Sequence, residues 1–239
     1  MYRRVLLKIS GEMLQGSAAF GLDPAFLNTL AEDIKALVVA GVQVAVVVGG
    51  GNFCRGETLS SASNINRVTA DQLGMLATMM NGLALRDAFL TIGQAAQVFS
   101  ARELLGVLHQ FEVECAKTAL KAGSVVILVG GTGNPFFTTD TAASLRGIEL
   151  EADLLIKATK VDGVYSEDPR KNKNAIRHDR LTFNEVLSHE LGIMDLSAIC
   201  MCKEYNLPIR VVNLKNKDVL LRVVCGEDVG TLIESGDKT

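Results

Sequence analysis

The chain has 239 residues, 48% of them hydrophobic and 21% charged, with a formal net charge of −3; this suits one large α/β domain and leaves little room for two of average size. The lack of a basic excess argues against a nucleic-acid groove, and no apolar run approaches the ~20 residues that span a bilayer. Five cysteines scattered among apolar residues and three distant histidines, His109, His178 and His189, suggest neither a disulfide framework nor a metal site, and point to a cytoplasmic protein.

In chain order, Val5 to Ile9 reads as a buried strand, broken by Ser10-Gly11-Glu12. Asp23-Pro24 is a helix start, with the carboxylate as cap and the proline in the first turn. Phe26, Leu27, Leu30, Ile34, Leu37 and Val38 then recur at helical spacing until Gly41. Val42 to Val48 is almost entirely apolar, as a parallel strand buried on both faces would be, and Gly49-Gly50-Gly51 closes it. Helical spacing returns from Val68 to Phe89. The next strands are expected at Val125 to Val129 and at Ala152 to Ile156. Helices are expected over Asp140 to Glu149, Phe183 to Leu191 and Leu196 to Tyr205, and late strands at Ile209 to Val212 and Thr231 to Ile233. The polar stretch from Asp168 to Asp179 reads as a mobile surface loop. Strands alternating with helices argue for a mostly parallel sheet covered on both faces.

Three of these strands end in glycine-rich corners: Lys8-Ile9-Ser10-Gly11-Glu12, Gly49-Gly50-Gly51-Asn52 and Gly130-Gly131-Thr132-Gly133-Asn134. One such corner can exist simply to turn the chain. Three at one sheet edge favour a shared ligand, because open α/β sheets bind at the carboxyl ends of their strands. The run Gly131 to Asp140 is the most telling. It follows a pure strand signal and precedes a helix, so backbone amides, two threonines and a helix start are offered to an anion. No corner has the P-loop pattern or the dinucleotide fingerprint. Lys8, at the end of an apolar strand, is placed to neutralise a phosphoryl group, and Arg55 has the planar fork to clamp one. Asp71, Asp140 and Asp195 each begin or interrupt a helical pattern. Each can be a helix cap, or can orient a lysine, hold magnesium through water or accept from ribose hydroxyls.

These segments, with Ala70-Asp71-Gln72-Leu73-Gly74-Met75-Leu76-Ala77-Thr78 and Lys157-Ala158-Thr159-Lys160-Val161-Asp162-Gly163-Val164-Tyr165, resemble the bacterial uridylate (UMP) kinases of the amino acid kinase superfamily, in order and over nearly the whole chain. The resemblance implies a single domain over residues 1–239 with a three-layer αβα sandwich fold. It implies transfer of the ATP γ-phosphoryl group to UMP with magnesium (Mg2+), in pyrimidine nucleotide biosynthesis. It places Lys8, Ile9, Ser10, Gly11, Gly51 and Arg55 at the ATP phosphates, and Thr159, Tyr165 and Asp168 at the ATP nucleoside. Gly50, Asp71, Thr132, Gly133, Asn134, Pro135, Phe136, Phe137, Thr138 and Thr139 fall in the UMP pocket, with Asp71 at the ribose. Asp195 is implied to help arrange the catalytic lysine, Asp140 to assist with metal or water, and Lys157 to be a second cation. Such enzymes are homohexamers, activated by GTP and inhibited by UTP. The matching effector residues are Gly16, Ser17, Ala18, Ala19, Phe20, Gly21 and Arg86. Between Ala88 and Ser124 the chain departs from the family, with Leu90, Gln97, Val113 and Ser124 where relatives carry arginines and an aromatic or histidine, which leaves the GTP response open. Two other readings compete with this one: a related phosphotransferase acting on a carboxylate or carbamate, and a catalytically silent nucleotide sensor.

Overall fold

The computed structural model describes residues 1–54, 64–167, 172, 174–216 and 218–236. Its strands are β1 (Arg4–Ile9), β2 (Gln43–Val48), β3 (Ala96–Ser100), β4 (His109–Gln110), β5 (Val125–Val129), β6 (Leu154–Thr159), β7 (Val164–Tyr165), β8 (Arg177–His178), β9 (Arg180–Thr182), β10 (Ile209–Asn213) and β11 (Thr231–Glu234). Its helices are α1 (Gly11–Leu14), α2 (Pro24–Val39), α3 (Arg67–Thr91), α4 (Val113–Lys121), α5 (Thr139–Glu149), α6 (Phe183–Ser188), α7 (Leu196–Glu204) and α8 (Val219–Val224). One sheet runs β4-β3-β5-β2-β1-β6-β10-β11-β9, and β7 pairs with β8 in a separate hairpin. The pairings from β4 through to β10 are parallel. Only the β10–β11 pairing in that sheet is antiparallel.

The strand period of two sorts side chains into two cores. Val5, Leu7 and Ile9 of β1 join Val44, Val46 and Val48 of β2 under α2, α3 and α8. Leu6, Ala45, Val47, Val126 and Leu128 face the other way, under α4, α5, α6 and α7. The expected αβα layering is what the chain adopts. The helix starts are capped as their sequences suggest: Asp23 accepts from Ala25 N–H and Phe26 N–H, and Asn66 accepts from Thr69 N–H at 2.9 Å.

Three expectations change. Ala96–Ser100 and Val113–Lys121 form a strand and a helix that the sequence reading passed over. The helix expected to reach Leu191 stops at Ser188, where Glu190 takes a left-handed φ of 49° and turns the chain. Of the stretch read as a surface loop, 168–171 and 173 lie outside the described residues, and Arg177–His178 is the second strand of the hairpin.

Candidate active site

The parallel register of β1 and β6 sets Lys8 directly opposite Lys157. Both share the sheet face of Leu6 and Leu155, so they rise beneath the first turn of α5. Asp140, the second residue of that helix, stands between them. Its carboxylate lies 2.8 Å from Lys8 Nζ through Oδ1 and 2.7 Å from Lys157 Nζ through Oδ2. Lys157 Nζ also donates to the carbonyl of Ile193. All three side chains are largely withdrawn from solvent. Burial alone would push the Asp140 carboxyl up, but Lys8 and Lys157 outweigh it and hold the group below its usual range. The helix start adds a favourable partial positive charge. Lys157 is pulled below the ordinary lysine range, chiefly by burial and further by Lys8, against the opposing pull of Asp140. The result is a pair of cations separated by one anion, a centre with net positive charge.

On one side of this ion triad lies a cleft of about 510 Å³ lined by Lys8, the three glycine corners, α3 and the start of α5. Its floor has no slack. A Cβ on Gly50 would stand 2.6 Å from Gly74 O and 2.8 Å from Ala77 Cβ, so the corner packs against α3 only because the side chain is missing. Asn52 and Asn81 exchange reciprocal amide bonds of 2.9 and 2.7 Å, and Asn81 Nδ2 donates to Gly49 O at 2.7 Å. Thr78 Oγ1 accepts from Gly130 N–H at 2.7 Å, which ties the third corner to the same helix. Thr138 caps α5, accepting from Asp140 N–H and Thr141 N–H.

On the other side a second cleft, of about 490 Å³, runs from Lys157 and Thr159 past the β7 strand to the turn from His189 to Ile193. Tyr165 Oη donates to Asp162 Oδ1 at 2.7 Å, and Thr159 Oγ1 donates to Val161 O at 2.6 Å.

The residues named from sequence divide accordingly. Lys8, Ser10, Gly11, Gly50, Gly51, Asp71, Thr132, Asn134, Phe137, Thr138, Thr139 and Asp140 line the first cleft, and Thr159 and Tyr165 the second. Gly133, Pro135 and Phe136 belong to the same corner, outside the cleft wall. Gly133 O accepts from Arg102 Nε, and Phe136 N–H donates to Asp71 Oδ2. Ile9 sits at the same corner with its side chain fully buried in the opposite core, and its carbonyl accepts from Gly49 N–H. Ser10, Gly11 and Gly51, expected with ATP, wall the cleft that also holds the residues expected for UMP. Arg55 and Asp168 lie outside the described residues. Asp195, expected to help arrange the catalytic lysine, caps α7 through Ala198 N–H and accepts from Thr138 and Thr141 hydroxyls. The carboxylate on Lys8 is that of Asp140, and Asp195 bears on it through the start of α5. Gly16 to Gly21 forms the turn between α1 and α2, joined to the triple-glycine corner by Gly21 N–H and Asn52 O, while Arg86 pairs with Asp87.

Several lining residues went unnamed from sequence: Arg67, Met75 and Thr78 on α3, and His189 to Ile193 in the second cleft. Arg67 carried a signal, since it precedes Asp71 by one helical turn. The turn carried none, because its place depends on where α6 stops. No group of three or more histidine, cysteine or acidic residues suited to a metal occurs among the described residues. None of the five cysteines is in a disulfide, and no helix among the described residues is long and apolar enough to cross a membrane.

Residues 3–213 match the amino acid kinase family. The chain is 55% identical to the uridylate kinase of Aeromonas salmonicida (strain A449) over 232 residues, covering 97% of this chain and 95% of that protein. It is 53% identical to that of Pseudomonas aeruginosa (strain PAO1), covering 98% and 96%. The UMP kinase of Bacillus anthracis superposes with a TM-score of 0.95 at 35% identity, covering 100% of this chain and 97% of the other. That of Ureaplasma parvum superposes with a TM-score of 0.92 at 33% identity, covering 98% and 100%.

Proposed function

The chain belongs to the amino acid kinase family, and from that premise we infer that its two clefts are the two substrate sites of a UMP kinase. The enzyme transfers the γ-phosphoryl group of ATP to UMP, giving UDP and ADP. The observation that carries the placement is the ion triad: Lys157 lines one cleft, Lys8 and Asp140 line the other, and the Asp140 carboxylate joins the two lysines.

The cleft reaching Thr159 and Tyr165 takes ATP, and the cleft under the glycine corners takes UMP. An α-phosphate oxygen of UMP attacks the γ-phosphorus, and the bond from that phosphorus to the bridging oxygen of ADP breaks in line. Such a transfer needs positioning and charge compensation more than covalent help from the protein. Lys8 and Lys157 bear the charge that spreads over the moving group, and Asp140 keeps the two ammonium groups apart and aimed. The N-terminus of α5 and the hydroxyl of Thr139 meet the UMP phosphate. Asp195 secures Thr138 and Thr141 so that this helix start stays in place.

Magnesium accompanies the triphosphate and, when bound, neutralises part of its charge. The carboxylates fit such an ion rather than a resident one: Asp140 is engaged by two lysines and Asp195 by two hydroxyls, so they would hold it through water, with the phosphates as its main ligands. The enzyme acts in the cytoplasm, in pyrimidine nucleotide biosynthesis, as a homohexamer. Support for assembly comes from Leu73, Leu76 and Met80, exposed at helical spacing on α3. Gly16 to Gly21 and Arg86 are its contacts for UTP or GTP, although Leu90, Gln97, Val113 and Ser124 add no cation there.

An ADP-release assay offering UMP, CMP, aspartate and glutamate tests the reading. UMP is expected to support turnover far above the others. Equal or faster turnover with a carboxylate acceptor overturns it, as does ATP binding with no ADP formed from UMP.

A further inference from the structure

Asp71 does not stand alone on its wall of the UMP cleft. Arg67 opens α3 and Asp71 follows one turn later, so the two side chains share a face. Arg67 Nε lies 2.9 Å from each carboxylate oxygen. From across the cleft mouth, Phe136 N–H donates to Oδ2 at 2.8 Å. Phe136 adopts a left-handed φ of 71°, a costly conformation for an aromatic residue. The Arg67 guanidinium carbon lies 5.9 Å from the centroid of its ring. Two groups, the Arg67 guanidinium and the Phe136 amide, thus close on one carboxylate from two directions. Among the described residues the consequence for its oxygens is unequal: Oδ2 accepts from both Arg67 and Phe136, whereas Oδ1 accepts from Arg67 alone.

We propose that Arg67 and the Phe136 amide form a bracket that presents Asp71 Oδ1 to the ribose hydroxyls of the acceptor, making Arg67 a positioning residue that sets the enzyme's preference for a ribose. A hydroxyl gains most from an ionised acceptor of fixed orientation. Once substrate fills the cleft, that carboxylate loses water, and a cation already in contact with it offsets part of that cost. Arg67 supplies the charge from the side, without reaching the phosphoryl group in transit. The inference rests on the placement of UMP in this cleft.

The test compares steady-state kinetics with UMP and with 2′,3′-dideoxyuridylate, which lacks both ribose hydroxyls, for the wild type, Arg67→Met, Arg67→Lys and Asp71→Asn. In Arg67→Met the KM for UMP is expected to rise roughly tenfold while kcat stays within about twofold. Its kcat/KM preference for UMP over the dideoxy nucleotide should fall to that of Asp71→Asn. Arg67→Lys, which still reaches a carboxylate one turn on, should regain most of the preference. A merely structural bracket would weaken both nucleotides alike and leave the ratio unchanged; that result overturns the proposal, as does an unaltered KM. If Arg67→Met fails to fold, the Arg67→Gln variant carries the same comparison. An Asp71→Asn variant with wild-type kinetics on both nucleotides would remove UMP from this cleft, and the bracket would fall with it. Loss of the preference in Asp71→Asn alone, with Arg67→Met unaffected, sinks the bracket and spares the placement.

Discussion

The two clefts on either side of the ion triad are built by different means. The UMP side is assembled from glycine corners pressed against α3, where Gly50 has no room for even one added carbon and a buried asparagine pair locks the loop to the helix. The ATP side is assembled from a short hairpin and a turn, closed by single side-chain bonds such as Tyr165 to Asp162. Packed backbone fixes the first cleft, and polar side chains on a thinner framework shape the second. Damage on the UMP side should therefore cost stability as well as binding. Damage on the ATP side should change affinity and leave the fold alone. Between them the triad serves both, and a lesion there should appear in turnover first.

The largest effect is expected at that shared centre. Lys8→Ala should lower kcat by about a thousandfold, the scale of losing one transition-state charge contact in a site with little water. UMP affinity, measured by equilibrium titration, should change less than about tenfold, because the nucleoside contacts lie elsewhere. Near-normal turnover would remove Lys8 from its role. Asp140→Asn removes the anion between the two lysines and should destabilise the fold by about 3 kcal/mol at neutral pH, since it leaves two buried cations facing each other. The pH dependence has a definite sign. The wild-type carboxylate is held below its ordinary range, so its contribution is fully present above roughly pH 4 and is lost as pH falls through the lower folded value. The stability gap between wild type and variant, followed by urea unfolding, should close on acidification. A gap that widens would show that Asp140 is not the anion holding the lysines.

How much of this was open to reading in advance follows from distance along the chain. Gly131 to Asp140 follows a strand and carries the corner, the cap and the start of a helix, so one window of sequence displays about a third of the residues lining the UMP cleft. The sandwich was legible for the same reason: β1, β2 and β5 are short, mostly apolar runs of five or six residues, buried throughout or nearly so. The pairing of Lys8 with Lys157 was hidden, because it depends on the register of two strands far apart in sequence. Hidden with it was the place of Asp140 between the two lysines. β3 escaped because a strand of five residues with an exposed Gln97 gives a weak alternation. α4 did show Ala116, Ala119 and Leu120 at helical spacing opposite Glu114, Lys117 and Lys121, a legible stripe that the sequence reading passed over. The ATP cleft was the least legible of all, since the turn from His189 to Ile193 lines it only because Glu190 ends α6 early.

A middle-sized effect sharpens the contrast from the UMP side. Gly50→Ala should destabilise the protein by about 1–3 kcal/mol, as an inserted methyl forces α3 away from the corner. The KM for UMP should rise with it while the KM for ATP holds. A variant of unchanged melting temperature would show that the corner yields easily, and the distinction between a rigid and a pliant cleft would lose its basis.

The smallest effect comes from the ATP side and tests the other half of the same contrast. Tyr165 Oη donates to Asp162 Oδ1 at 2.7 Å, and that bond, more than burial or the carboxylate's charge, raises the phenol above its usual range. The ring lies at the cleft wall and its hydroxyl is near solvent, so Tyr165→Phe removes one bond and opens no cavity. The melting temperature should stay within about 1 °C of wild type, as is usual for a substitution at a partly exposed site. Asp162, still paired with Arg177, should swing toward that partner and loosen the wall that faces the nucleoside. The KM for ATP should then rise about two- to threefold, on the scale of one modest hydrogen bond, with kcat and the KM for UMP unchanged. A loss of stability without a change in ATP affinity would reverse the expected order, and would mean that the hairpin is part of the packed framework rather than an adjustable wall laid against it.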